Sequence, residues 1–263
     1  MIVVIALLFW LGAAIGSFLN VLVSRTVEGT DWVRGRSVCD YCKKTLTWYD
    51  NIPLLSFVLY HGKSRCCNKK LSWQHPIVEF LAGILFVWWY LMGNVFFQLL
   101  SSPMRTLQAG YWLVIGIILL IIIVADWIYG LVLVVPIYVA IAASLIYRVA
   151  LYMNGPLSGR DFVMYVTSAI VITLFFALLH YGTKGRGMGM GDVYVAPLYG
   201  LILGWPRALV ALVLSFWIGA VVGIVAIILG KKKMRQTLPF APFMVIGILI
   251  ALLWGNQLWG FIY

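Results

Sequence analysis

Eight apolar runs, most of them near the length of a bilayer crossing, decide what this chain can fold into. They lie at about residues 2–23, 76–100, 111–125, 131–153, 162–181, 193–204, 208–229 and 239–254. A spanning helix needs about 20 predominantly apolar residues. In hydrocarbon every backbone amide must find an internal partner, and a helix supplies its own. The expectation is therefore an all-α, polytopic transmembrane helical bundle of about eight spans. Composition agrees: 63% of the 263 residues are hydrophobic and 10% are charged, whereas a soluble domain carries about 25% charged residues. A disordered chain and a secreted disulfide scaffold are excluded.

Two stretches depart from a simple count. Residues 111–153 are nearly continuous and too long for one crossing, with Asp126, Gly130 and Pro136 marking the break. Residues 193–204 make only about 16 Å of helix, so they are expected to be tilted, partly inserted, or part of a longer helix. The N-terminus has no basic n-region, and its apolar stretch exceeds an h-region, so it reads as a first spanning helix rather than a cleavable signal. No internal repeat is apparent.

The net charge of +11 would suggest nucleic acid in a soluble protein. Here its distribution reads instead as topology, with the bilayer as partner and no nucleic acid. With the N-terminus outside, 15 of the 19 Lys and Arg fall on the cytoplasmic side, nine of them in residues 24–75. Arg105, Arg148, Arg160 and Arg207 fall outside. The positive-inside rule then predicts N-out, C-out, with Lys231-Lys232-Lys233 as an anchor near anionic lipid. This divides the chain into a first transmembrane helix (1–23), a basic cytoplasmic loop domain holding all four cysteines (24–75) and a transmembrane core (76–263).

Acidic residues within apolar segments are costly and usually functional. Asp126 and Asp192 both fall at the cytoplasmic face in this topology, although they are far apart along the chain. Two carboxylates around one water share a proton: one takes a proton from the water and the other donates to the carbonyl of a scissile amide. Asp192 closes the sequence Gly187-Met188-Gly189-Met190-Gly191-Asp192. Alternating glycines favour an open, extended backbone beside which a substrate strand can lie. The plainer alternative is a flexible loop whose Asp caps the next helix.

These residues carry a resemblance. Gly16-Ser17-Phe18-Leu19-Asn20-Val21 with Arg25, Cys39-x-x-Cys42, Asp50-Asn51-Ile52-Pro53, Ser72, Pro76-x-x-Glu79, Asp126 before Pro136, the Gly187–Asp192 motif and Pro239-Phe240-Ala241-Pro242-Phe243 occur in order along nearly the whole chain. Together they resemble the bacterial type IV prepilin peptidases, membrane aspartic proteases of the GxGD kind. The resemblance implies cleavage of the basic leader of a prepilin or pseudopilin, typically after Gly, at the cytoplasmic face of the bacterial inner membrane, in service of a pilus or secretion system. It implies Asp126 and Asp192 as the catalytic pair, Gly187, Gly189 and Gly191 as the substrate-side loop, and N-methylation of the new terminus by S-adenosylmethionine. Tyr194 and Ala125 depart from the family pattern without removing a carboxylate. The rival readings are a peptidase without methyl transfer and a non-enzymatic proton-coupled carrier.

The family's full form has two Cys-x-x-Cys pairs, a pattern that reads as tetrahedral zinc. Here the second pair reads Ser64-Arg65-Cys66-Cys67, with Ser64 where a cysteine is expected. The expected structural zinc ligands are Cys39, Cys42, Cys66 and Cys67, with Asp40, His61 or His75 as substitutes should two adjacent cysteines not reach one ion. The alternative is reduced cysteines that only pack. Glu79 is a candidate contact for the substrate's new ammonium, or simply a carboxylate favoured in a first helical turn.

Overall fold

The computed structural model describes residues 1–31, 35–39, 41–96, 104–230 and 238–262. Asp40 and Lys231-Lys232-Lys233 lie outside these. The described residues form ten α-helices: α1 Ile2–Glu28, α2 Leu55–Leu59, α3 Gln74–Phe96, α4 Met104–Tyr129, α5 Val134–Met153, α6 Gly159–Gly182, α7 Met190–Val195, α8 Pro197–Leu203, α9 Arg207–Ile228 and α10 Ala241–Ile262. Among them there is no strand, only two isolated antiparallel bridges.

Seven helices (α1, α3, α4, α5, α6, α9 and α10) are long and apolar enough to cross a membrane. Their outward faces are apolar and exposed, as at Trp217, Val221, Ile224 and Ile228 of α9; lipid satisfies such faces and water does not. The eighth apolar run forms α7 and α8, together residues 190–203. This is about 21 Å of helix, short of a ~30 Å hydrocarbon core. The break predicted near Asp126 is present: Gly130, at φ 62°, donates its N–H to the Asp126 carbonyl and ends α4, a left-handed cap that glycine adopts without cost.

The chain divides into two compact units, Met1–Ile121 and Ile122–Tyr263, with the division inside α4. In the first, α1 and α3 pack backbone to backbone. A Cβ placed on Gly12 would meet the Ala82 carbonyl, and one on Gly16 would lie 2.8 Å from the Glu79 Cα. This small-residue seam is how helices approach closely without a hydrophobic driving force. Asn20 adds a side-chain donor to the His75 carbonyl at 3.3 Å, as expected of a polar residue within such a pair.

In the second unit, α8 is buried from Leu198 to Leu203. Gly200 sits against the backbone of Ser168 and Ala169 on α6, where no side chain would fit. Phe176, Phe216 and Phe240 form an aromatic core with Tyr199, the Phe176 and Phe216 rings stacked at 6.0 Å. Arg148, counted from sequence among the outer charges, lies on α5 and is 6% exposed, so it is an interior residue.

Candidate functional site

The second unit brings Asp126 and Asp192 together. Asp126 lies in the last turn of α4 and Asp192 in the first turn of α7, and each is 7% exposed. The two carboxylates are near enough for the charge of one to act on the other. Asp126 Oδ2 accepts the Ala241 N–H at 3.0 Å. Ala241 opens α10, so this contact satisfies an amide that helix geometry leaves without an internal partner. The Asp192 carboxylate accepts the Gly189 N–H.

The glycine motif divides into two roles. Gly189 is extended, with φ −70° and ψ 152°, and a Cβ there would meet nothing closer than Asp192 Oδ2 at 3.6 Å. It is the open position beside the carboxylate. Gly191 is not extended but helical, since α7 begins at Met190. Its lack of a side chain serves packing: a Cβ there would lie 2.6 Å from Val132 Cγ2. Gly187 donates its N–H to Thr183 Oγ1 at 3.1 Å. His180 places Nδ1 2.8 Å from the Met188 carbonyl and so pins the same loop. The role of His180 was not legible because its partner is a main-chain atom.

The first unit brings all four cysteines together: the Sγ atoms of Cys39, Cys42, Cys66 and Cys67 lie within 4.8 Å of one another. Tetrahedral thiolates at a Zn–S distance of about 2.3 Å stand about 3.8 Å apart. Cys39 and Cys67 are 3.8 Å apart, and Cys42 and Cys66 are 3.0 Å apart. The donor set fits a bound metal ion; Cys39 and Cys67 stand at the tetrahedral spacing, and Cys42 and Cys66 lie closer than it.

The loop contains a repeat of backbone conformation around the two cysteine pairs, with Ser64 where the resemblance expects a cysteine. The bridge between Val38 and Thr45 is matched by one between Lys63 and Lys70. Cys39 donates to the Lys44 carbonyl and accepts from Lys43; Ser64 donates to Lys69 and accepts from Asn68. Lys43 and Asn68 share a positive φ, 56° and 57°. Ser64 therefore occupies the turn position that Cys39 holds in the first turn, and Cys67 the position of Cys42. Cys66 enters from an irregular position between them. Ser64 Oγ remains in the cluster, 3.2 Å from Cys39 Sγ and 3.1 Å from Cys66 Sγ.

Environment separates the thiols. Burial opposes charge on Cys39, but the amides of Cys42 and Tyr41 and the Ser64 hydroxyl outweigh it and bring the thiol down to about 6. The Ser64 hydroxyl also favours charge on Cys66, yet the neighbouring Cys42 and Cys39 sulfurs and burial push that thiol up to about 12.

Glu79 also belongs to the first unit. It is buried, and its Oε2 accepts the Leu54 N–H at 2.7 Å. Ser17 supplies a further hydrogen bond. Leu54 sits at φ 58°, a conformation costly for a branched side chain, so Glu79 holds a strained turn against the start of α3.

Comparison with known proteins places these features in context. Residues 10–92 match the model of the bacterial peptidase A24 N-terminal domain. Residues 113–224 match that of the type IV leader peptidase family. A protein of Myxococcus xanthus (strain DK1622) is 32% identical over 233 residues, which are 84% of this chain and 62% of that protein. One of Bacillus subtilis (strain 168) is 29% identical over 98% of this chain and 97% of its own length. One of Aeromonas hydrophila is 28% identical over 96% and 91%. Each is named prepilin leader peptidase/N-methyltransferase. No solved structure matches the chain.

Proposed function

This chain belongs to the type IV leader peptidase family, and from that premise we propose that it is a bacterial inner-membrane aspartic endopeptidase. It cleaves the basic leader of a type IV prepilin or pseudopilin at the cytoplasmic face, typically after Gly, and then methylates the new N-terminal amine. The observation that carries the reading is the meeting of buried Asp126 and Asp192 beside the open backbone at Gly189.

The chemistry follows from that arrangement. The pair holds one proton between its two carboxylates. The ionised member takes a proton from a water molecule, and the oxygen attacks the carbonyl carbon of the scissile amide. The protonated member donates to the carbonyl oxygen, giving a neutral tetrahedral diol. In the collapse of the diol the C–N bond breaks as the amine takes the proton now on the first carboxylate, while a diol hydroxyl gives its proton to the second, which leaves one proton on the pair. The backbone near Gly187 and Gly189 holds the substrate in extended form, so that the amide is exposed rather than locked in a helix. Charge distribution supports the cytoplasmic assignment, because 15 of the 19 Lys and Arg then lie on that side.

Methyl transfer uses S-adenosylmethionine as co-substrate. The names of the relatives support it, as does the retained cysteine loop. Zinc held by Cys39, Cys42, Cys66 and Cys67 ties the two turns of that loop together, supplying a cross-link to a segment with little core of its own. Glu79 serves the same reaction by holding the Leu54 turn.

The test is to incubate the purified protein with a prepilin, with and without S-adenosylmethionine, and to read product termini by mass. A leaderless product in both samples, heavier by one methyl group with the donor, is expected. An uncut prepilin overturns the peptidase reading. A cut but unmethylated product overturns the methyltransferase alone.

A further inference from the structure

Arg148 is a buried cation whose partners among the described residues include no carboxylate. Its Nε donates to the Leu201 carbonyl at 2.9 Å, its Nη2 donates to the Ile202 carbonyl at 2.7 Å, and its guanidinium lies over the Tyr165 ring at 3.7 Å. The two carbonyls belong to the last turn of α8, and Gly204 caps that turn at φ 66° with its backbone against the same Tyr165 ring. Carbonyls at a helix C-terminus have no intrahelical donors, and a cation is favoured there.

The position of that helix end gives the contact its meaning. Residues 190–203 make about 21 Å of helix, and Leu201 and Ile202 at its end are buried, 3% and 2% exposed. A helix end buried in this way, without donors, would leave carbonyls unsatisfied in an apolar medium. The cost would be relieved by sliding the segment along its axis toward water. Asp192 rides on the same short segment, nine residues before Leu201. One helical turn of slippage is about 5.4 Å, enough to separate two carboxylates that must share a water. Contact of Gly200 with α6 fixes how closely the segment packs; the two guanidinium bonds fix how far along its axis it sits.

We propose that Arg148 is a positioning residue: by satisfying the Leu201 and Ile202 carbonyls it sets the axial register of the helix that carries Asp192, and so holds Asp192 against Asp126. The inference rests on the aspartic-peptidase reading and deepens it. A planar guanidinium reaches both carbonyls at once, whereas a lysine ammonium in its place serves one well. The segment is long enough to present the carboxylate but too short to be fixed by its own ends.

The test compares Arg148→Lys and Arg148→Met with wild type as purified full-length enzymes, reading kcat and KM for a prepilin per folded molecule, with folded protein counted by size-exclusion chromatography. A misplacement of about 1 Å can cost 10²-fold in rate. Arg148→Met is expected to lower kcat by about that factor and Arg148→Lys by about tenfold, both with KM within about twofold of wild type. A residue needed only for folding would lower yield and leave kcat per folded molecule unchanged, and that result overturns the proposal. So does a rise in KM at constant kcat, which would place Arg148 in substrate binding. Should Arg148→Met not fold, Arg148→Lys decides alone: unchanged kcat overturns the proposal. A wild-type enzyme that leaves prepilin uncut is a separate failure, of the peptidase reading itself.

Discussion

Ala241 donates its backbone N–H to Oδ2 of Asp126 at 3.0 Å, across a separation of 115 residues. The contact couples the end of α4 to the start of α10, so a carboxylate proposed for catalysis doubles as the partner of a helix terminus. Chemistry and architecture at this position can be separated by substitution. An asparagine at 126 keeps an oxygen for the Ala241 amide but cannot take a proton from water. Asp126→Asn is therefore expected to insert and fold like wild type while kcat falls by at least about 10³-fold, and Asp192→Asn likewise. Asp126→Ala should in addition lose about 1–3 kcal/mol, because the Ala241 N–H is left buried without an acceptor. Activity assays beside thermal unfolding in detergent check both statements, and wild-type cleavage by either asparagine variant would remove the mechanism.

The glycine motif yields a second prediction, since its members do different work. A methyl group at 191 collides with Val132, whereas one at 189 meets the Asp192 carboxylate and the Gly191 nitrogen at ordinary van der Waals distance. Gly191→Ala is expected to destabilise by about 1–3 kcal/mol through overpacking. Gly189→Ala should leave stability within about 0.5 kcal/mol but raise KM, because the added methyl stands where the substrate strand is proposed to lie. A double-mutant cycle with Val132→Ala tests the cause. The smaller residue should restore most of the stability lost in Gly191→Ala and none of the KM change in Gly189→Ala.

How much of this was legible beforehand depends on what the information is made of. Apolar runs are sequence-local, so the spans, the break near Asp126 and the shortness of the eighth run could be read directly. The aspartates were identifiable because an acid in an apolar segment is conspicuous by its cost; that they meet was an expectation from topology, and packing brings them together. Arg148 shows the limit of such reasoning. Counted among the outer charges, it lies inside the second unit, and its partners are main-chain carbonyls whose identity no residue type reveals. The repeated turn around Cys39 and Ser64 was hidden for a related reason. It is a repeat of backbone bonds and φ angles, and the side chains that would advertise it had changed places.

Glu79 supports a third prediction. Its buried carboxylate holds the Leu54 amide in a turn that a leucine adopts at a cost. Loss of the carboxylate should release the turn, while Leu54→Gly should relieve strain of about 1–3 kcal/mol. Glu79→Ala is expected to lower methyl transfer to a pre-cleaved substrate and to leave leader cleavage within about twofold, since the aspartate pair belongs to the other unit. Adding Leu54→Gly should recover part of the methyl transfer. Equal losses of both activities would show that Glu79 is not confined to the methylation reaction.

The exchange of Ser64 and Cys66 supports the last prediction. In the regular turn the first ligand position is held by Cys39; in its repeat that position is held by Ser64, and the fourth sulfur comes from exposed Cys66 instead. The hydroxyl still reaches two sulfurs, at 3.2 and 3.1 Å, and hydrogen bonds of this kind commonly contribute 10–100-fold to metal affinity. Ser64→Ala should therefore weaken zinc binding by about that factor while keeping one ion per chain. Cys66→Ser should weaken it further, and Ser64→Cys combined with Cys66→Ser should restore affinity by returning the thiol to the regular position. Acid should release the ion. Cys39, lowered to about 6, is a thiolate at neutral pH, and its contribution to stability, complete above the usual thiol range near 9, fades as pH falls through 6. Cys66, pushed up to about 12, must shed a proton to the solvent when metal binds, so uptake should release protons and strengthen as pH rises. Chelator competition and calorimetry in buffers of different ionisation enthalpy measure these quantities. Wild-type affinity in Cys66→Ser together with lost affinity in Ser64→Ala would mean that oxygen, not the displaced sulfur, completes the site.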